Sequence, residues 1–108
     1  MNEQQLEEIT VNTQAEIIAE HVGSVMGIEP TLILSPRRGS WDISDGRFIL
    51  YSILKAKGFS LTSIGQALHR DHKSVIHGVE QIKVRRTVEK RIEKIINELE
   101  GMGYEVKR

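Results

Sequence analysis

Apolar residues recur every three or four positions along most of the chain, which is the spacing of a helix with one buried face. Four segments carry this pattern, at residues 13–26, 42–57, 60–84 and 87–100, and no stretch alternates with the period of two that marks a strand. The pattern predicts an all-α fold of five or six helices. We expect the core to contain the residues of the apolar faces: Ile18, Val22, Ile49, Ile53, Ile64, Leu68, Val75, Val79, Ile92 and Leu99.

The same pattern divides the chain into three parts. Residues 1–12 are polar and weakly periodic, which predicts a frayed or disordered lead. Residues 13–100 are expected to form one domain, whose first helix can be capped by Asn12 or Thr13. Residues 101–108 begin with two closely spaced glycines and are expected to be a tail.

Capping residues suggest where the next helices begin. Pro30 suits the first turn of a short helix. Asp42 or Ser44 can cap the helix that extends to residue 57. Trp41, the only tryptophan, is expected in the core or as a lid over it.

Two alternatives stay open for the C-terminal part of the domain. The chain either kinks, with Thr87 as the cap of a last helix, or runs as one helix over residues 72–100. In both cases the apolar face is expected to include Val88 and, less firmly, Met102. Ion pairs Lys90–Glu93 and Lys94–Glu98 are expected along the exposed face.

The segment at residues 61–84 has the pattern of two short helices joined by a tight turn. Ser60 can cap the first helix and Asp71 the second, because each side chain can accept from a free backbone N–H. Gly65 lies inside the first helix, where glycine costs about 1 kcal/mol relative to alanine. A glycine there is explained if another part of the chain passes close by. These features predict a helix-turn-helix, whose second helix would enter the DNA major groove.

The start of the second helix carries side chains that suit nucleic acid. Arg70 to Ser74 read RDHKS, which combines cations, donors and acceptors, and His77 follows on the outward face. Asp71 is informative because an acid is repelled by phosphates. It is expected there only if it caps the helix, accepts from a cytosine amino group, or does both.

These residues carry a family resemblance. HRDHKSVIHGVEQI, at residues 69–82, resembles the signature of the C-terminal DNA-binding domain of the bacterial replication initiator DnaA, which runs roughly Gly-Arg-Asp-His-Thr-Thr/Ser-Val-x-x-Ala. SLTSIGQAL, at residues 60–68, is similar to its Ser-Leu-x-x-Ile-Gly-x-x-Phe, and SPRRGS, at residues 35–40, to its basic loop Ser-Lys-Arg-Arg-Ser-Arg. The likeness covers about residues 13–99.

The resemblance implies a Trp-repressor-like arrangement of helices that binds double-stranded DNA at a DnaA-box-like site, in replication initiation or its regulation, in a bacterium or phage. It implies binding as a monomer, although the sequence leaves the oligomeric state open. The base-contacting residues that it implies are Arg38 in the minor groove and Asp71, His72, Lys73 and Ser74 in the major groove. Further side chains expected at the DNA backbone are Arg37, Lys55, Lys57, Ser60, Arg70, His77 and Arg85.

The net charge of zero conceals an uneven distribution. Residues 1–30 hold six acids and no Lys or Arg, so residues 31–108 hold all 15 bases and a formal excess of +6. This favours a basic DNA-binding face and an acidic N-terminal region that can take a protein partner. A solvated surface is the plain alternative for both.

Several functions are not expected. The chain has no cysteine, no histidine spacing typical of a metal site, no phosphate-binding glycine loop and no legible catalytic triad, so we expect neither a metal, nor a cofactor, nor an enzyme. MNEQQLEEI is not a signal peptide and no apolar run reaches the length of a membrane span. We therefore expect a cytoplasmic protein associated with the nucleoid. The ATPase module of the full initiator has no counterpart in 108 residues, so nucleotide-driven origin melting is not implied.

Departures from the family pattern support a second hypothesis. Lys73 replaces a Thr, Ser40 an arginine and Thr62 a proline, while ISDGR at residues 43–47 replaces an Arg-Pro-Arg-like run. Lys73 cannot accept a hydrogen bond, and as a donor it can favour a guanine. The alternative is therefore a regulatory or protein-interaction module of the same fold with lost or altered DNA specificity.

Overall fold

Six helices and no strand make up the chain, and the computed structural model describes all 108 residues. In order, the helices are α1 (Glu3–Met26), α2 (Pro30–Leu34), α3 (Trp41–Ala56), α4 (Leu61–Ala67), α5 (His72–Val88) and α6 (Lys90–Gly101). The prediction of an all-α fold with five or six helices is confirmed. None of the helices is both long and apolar enough to cross a membrane.

Helix α3 forms the centre of the core and packs against α1 on one side and α5 on the other. All ten residues that the pattern placed in the core are buried, and Ile18, Ile49, Ile53 and Ile64 are fully enclosed. Helix α5 crosses α3 closely at Gly78, where an added Cβ would lie 2.6 Å from the ring of Phe48. This close crossing sets the position of α5 relative to the rest of the domain.

Helix α1 begins ten residues earlier than predicted. Asn2 caps it, accepting from Gln5 N at 2.8 Å, and the Gln5 side chain accepts from Asn2 N in return. Gln4 Nε2 donates to Ser63 Oγ at 2.9 Å, and Glu7 Oε1 accepts from Ser60 N at 2.9 Å. The prediction of a frayed or disordered start was wrong, because these polar side chains hydrogen-bond to α4, far along the chain.

The start of α3 also differs from the prediction. Its N-cap is Ser40, which accepts from Ile43 N at 3.4 Å, and neither Asp42 nor Ser44 takes that position. Trp41 is therefore the first helical residue, and 88% of it is exposed. A core position for Trp41 was wrong, because it lies on the outer side of the helix start.

The junction between α5 and α6 lies at Glu89, which has an extended backbone and serves as the end of one helix and the start of the next. The chain therefore breaks, but two residues after the predicted cap Thr87. Val88 and Met102 are exposed rather than on the apolar face. The predicted pairs Lys90–Glu93 and Lys94–Glu98 do not form within 4 Å.

Tyr104 and Val106, in the segment after α6, pack against the domain. Val106 is fully buried, Lys107 N donates to Ser52 O at 3.1 Å, and Arg86 Nη1 donates to Val106 O at 3.2 Å. The phenol of Tyr104 contacts the His21 ring at Nδ1. The C-terminal segment is thus packed into the fold, whereas the sequence predicted only a tail.

Candidate nucleic-acid interface

The turn between α4 and α5 has the geometry expected of a helix-turn-helix. Ser60 Oγ accepts from Ser63 N at 3.1 Å, and Asp71 Oδ1 accepts from Lys73 N at 2.9 Å, which confirms both predicted caps. At Gly65 an added Cβ would lie 2.7 Å from the carbonyl oxygen of Arg70. The close approach that the glycine indicated is therefore to the turn itself.

The first turn of α5 presents its side chains to solvent. Asp71, His72, Lys73 and Ser74 are all exposed, whereas Val75, the next residue, is fully buried. His72 Nδ1 lies 3.4 Å from Asp71 Oδ1, so the carboxylate contacts both the helix start and the imidazole. The four predicted major-groove residues thus share one exposed helix end, anchored to the core directly behind it.

A loop between α2 and α3 carries the exposed pair Arg37 and Arg38. The guanidinium of Arg70, in the helix-turn-helix turn, donates to the backbone oxygens of Ser35 and Pro36, the latter at 3.1 Å. The basic loop is therefore tied to the turn that precedes the first residues of α5. Two segments some 35 positions apart in sequence are held next to each other by one side chain.

Arg47 holds the end of α2 and the first residue of this loop. Its guanidinium is buried and donates to the oxygens of Ile33 at 3.1 Å, Leu32 at 2.8 Å and Ser35 at 2.8 Å. Desolvation by burial, together with the nearby charge of Arg70, lowers the pKa of Arg47 below its usual value. Sequence reasoning missed this role and counted the segment around Arg47 only as a departure from a family pattern.

Two side chains that were expected to contact the DNA backbone have protein partners in the structure. Arg70 uses its guanidinium to hold the loop, as described above. Arg85 donates to Asp45 Oδ1 at 2.7 Å and to Glu89, and these two acids raise its pKa further. Arg85 is thus paired with two acids, and its expected contact with the DNA backbone stays a prediction.

Asp45 is the centre of an ion-pair cluster that was not anticipated. Only 4% of it is exposed, and its second oxygen accepts from Arg91 at 2.9 Å, while Arg91 also reaches Asp42 at 2.8 Å. A signal was present, because Asp45 lies four residues before Ile49 on the buried face of α3. A buried acid requires a cationic partner, but the sequence does not identify which one.

The remaining predicted residues are spread over the surface. His77 is exposed, and its ring packs edge-on against the ring of Phe48, with 5.6 Å between the two ring centroids. Lys57 Nζ lies 6.0 Å from the centroid of the Tyr104 ring, and Lys55 Nζ lies 3.5 Å from the backbone carbonyl oxygen of Phe59. These contacts place both lysines at the C-terminal end of α3. Ser60 acts as a cap and is half-buried.

No three His, Asp or Glu side chains lie close enough together to share a metal ion. Comparison with protein-family models, with curated proteins and with solved structures found no match for this chain.

Proposed function

We propose that this chain is a sequence-specific double-stranded DNA-binding domain that resembles the C-terminal domain of the DnaA initiator. In this proposal α5 enters the major groove with its N-terminus first, and the loop at residues 35–40 enters the adjacent minor groove. The proposal extends to a DnaA-box-like site, in replication initiation or its regulation. The observation that carries it is the hydrogen bonding of Arg70, which holds the basic loop beside the turn before α5.

The exposed groups suit the two grooves. One oxygen of Asp71 accepts from Lys73 N and contacts His72, and the 63% exposed side chain leaves the other oxygen for the amino group of a base. Lys73 can donate to guanine O6 or N7. Arg38 is a cation on an exposed loop, and the focused negative potential of a narrow minor groove favours such a side chain.

The test is a titration of a labelled duplex that carries the initiator's nine-base-pair box, against a scrambled duplex of the same composition. We expect tighter binding of the box, and a slope of log affinity against log salt of about −3 to −4 if three to four phosphates are contacted. Arg38→Ala should weaken binding. Lys94→Ala is the matched control, because Lys94 is also an exposed cation but lies beside α1, near Val25 and Met26.

The second candidate is a protein-interaction module, and the surface of α1 is the observation that favours it. Leu6, Ile9 and Ile17 are each about half exposed on the outward side of this helix, in the region that has acids and no bases. Such a face suits a basic partner with apolar side chains. Absence of binding to any duplex, or binding that does not depend on salt, would favour this candidate over the first.

A further inference from the structure

An open cleft of about 500 Å³ lies between the basic loop and the outer face of α5. Gly39, Ser40 and Trp41 line it on the loop side, and the side chains of α5 line it on the other. Helix α3 contributes Ser44, Asp45 and Phe48 to the lining. Polar side chains line it together with the rings of Trp41 and Phe48, and most of its exposed surface is apolar.

Trp41 is the most exposed of the large hydrophobic side chains. It is the only tryptophan, and 88% of it is exposed beside the loop that carries Arg38. Tryptophan is normally among the well-buried side chains, so a large, exposed indole is informative where it adjoins a candidate binding surface. The ring combines an apolar face with an N–H donor, which suits a ligand that is partly apolar and partly polar.

We propose that this cleft binds the sugar–phosphate backbone of one DNA strand, with the indole of Trp41 packed against its deoxyribose. The proposal rests on the proposed function and adds a contact to it. If the loop occupies the minor groove and α5 the neighbouring major groove, the strand that separates the two grooves must pass between them. The cleft lies between the end of the loop at Gly39 and Ser40, the start of α3 and the middle of α5, and it is the position that we assign to this strand.

The charged side chains beside the cleft pair with one another. Asp45 would repel an anion, but both of its oxygens accept from arginines, Arg85 at 2.7 Å and Arg91 at 2.9 Å. The Arg85 side chain is 22% exposed and faces the cleft, where His77 and Gln81 add further donors. Asp42, Asp45 and Glu89 pair with Arg85 and Arg91, and this cluster sums to −1. The contacts that the cleft offers to the strand are therefore the donors of His77 and Gln81 and the indole at its edge, rather than an unpaired cation.

A backbone contact makes a distinctive prediction, because sugars and phosphates carry no direct sequence information. Loss of the indole should weaken the box duplex and the scrambled duplex by the same factor. A base contact would weaken the box duplex alone. Because Trp41 is exposed, its replacement should leave the fold intact, and circular dichroism of the variant verifies this.

The experiment uses the full chain and its single tryptophan as a reporter. Addition of the unlabelled box duplex should shift the Trp41 emission and reduce its quenching by acrylamide at least twofold. In a separate anisotropy titration, Trp41→Ala should weaken both duplexes about three- to tenfold. Trp41→Phe, which keeps an aromatic ring, should recover part of that loss.

The outcomes separate this inference from the proposed function. If the parent binds the box while its Trp41 emission and quenching stay unchanged, and Trp41→Ala binds like the parent, the cleft assignment is wrong and DNA binding stands. A loss confined to the box duplex also overturns the assignment, in favour of a base contact. If the parent binds neither duplex, the proposed function fails and this inference fails with it.

Discussion

Arg85 of α5 donates to the carboxylate of Asp45 in α3 at 2.7 Å, and this pair joins the two helices beside the candidate DNA-binding surface. Asp45 is almost fully enclosed, and it also holds Arg91 from α6 at 2.9 Å. Together with Glu89 and Asp42, this acid therefore pairs both cations, which would otherwise face an approaching polyanion. The pair has a structural role and also reduces the positive charge of the surface.

Asp45→Asn should affect stability and binding in opposite directions. Removal of the carboxylate leaves Arg85 and Arg91 without their main partner, and we expect the free energy of unfolding to fall by about 1–3 kcal/mol, less than for a fully buried pair because both arginines reach solvent. The freed cations should raise affinity for every duplex and steepen the salt slope. Urea unfolding and the duplex titration measure the two effects.

Asp42→Asn is the matched control for this prediction. It removes the same charge from the same cluster, but Asp42 is exposed and pairs only with Arg91. Its cost in stability should stay below about 1 kcal/mol. Unchanged affinity in the Asp45 variant would contradict the view that this acid limits the available positive charge.

Arg70→Ala should reduce DNA affinity through the loop rather than through a lost phosphate contact. Arg70 holds the oxygens of Ser35 and Pro36, so its loss should release the loop that carries Arg38. In a protein that already lacks the Arg38 side chain, Arg70→Ala should reduce DNA affinity much less. A double-mutant cycle with Arg38→Ala measures this, and we expect a coupling of about 0.5–3 kcal/mol. Additive losses would indicate that Arg70 acts independently, as a direct contact.

The sequence predicted features that depend on near neighbours. The apolar spacing identified Ile49 and Ile53 as core, and the caps Ser60 and Asp71 followed from residues two or three positions away. Gly65 indicated a close approach before the turn was known. Each of these depends on the local helical period or on a cap, which a single sequence displays directly.

The sequence could not determine which partner a cation would take. Arg70 and Arg85 lie in a basic, DNA-like context, yet one binds backbone carbonyls and the other a carboxylate from α3. The same limit applies at the N-terminus, where Gln4 looked like part of a disordered lead because its partner Ser63 is 59 residues away. Trp41 shows the opposite error, since its hydrophobic ring suggested a position in the core or as a lid for a side chain that is exposed.

Gly65→Ala should destabilise the helix-turn-helix. The added methyl would lie 2.7 Å from the oxygen of Arg70, so the turn must shift, and we expect a loss of about 1–3 kcal/mol. Gly101→Ala is the control, because Gly101 is the last residue of α6 and an added Cβ meets no atom within 4 Å. That change should be neutral or stabilise by up to about 1 kcal/mol. Equal effects of the two changes in urea unfolding would contradict the close approach at Gly65.

The stability of the protein should fall at alkaline pH, partly through Tyr51. Burial raises the pKa of Tyr51 above its ordinary value, and the charges of Arg70 and Arg47, which act in the other direction, are smaller effects. The folded state therefore keeps a proton that the unfolded state releases near pH 10, so the free energy of unfolding decreases as pH rises through about 10. Tyr51→Phe removes this contribution. Its stability should decline less steeply than that of the parent between about pH 9 and 11, and parallel curves would show that Tyr51 is not responsible.

Sequence discrimination should depend on the first turn of α5. His72→Ala should cost about 1–3 kcal/mol on the box duplex and bring its affinity closer to that of the scrambled duplex, because a lost base contact affects only the preferred site. For Asp71 the cap must be kept, since its loss alone costs about 0.5–2 kcal/mol of stability. Asp71→Asn preserves an oxygen for Lys73 N but removes the charge and places an amide beside the base.

The Asp71→Asn variant therefore separates the two roles of this residue. If Asp71 accepts from a base, the variant should unfold like the parent in urea and yet lose discrimination between box and scrambled duplexes. If the residue acts only as a cap, both measurements should match the parent. Asp71→Ala serves as the reference in which cap and acceptor are lost together, with circular dichroism to verify its helix content. Discrimination unchanged in folded His72→Ala and Asp71→Asn variants would show that this turn does not read sequence, and would leave the domain as a binder of the DNA backbone.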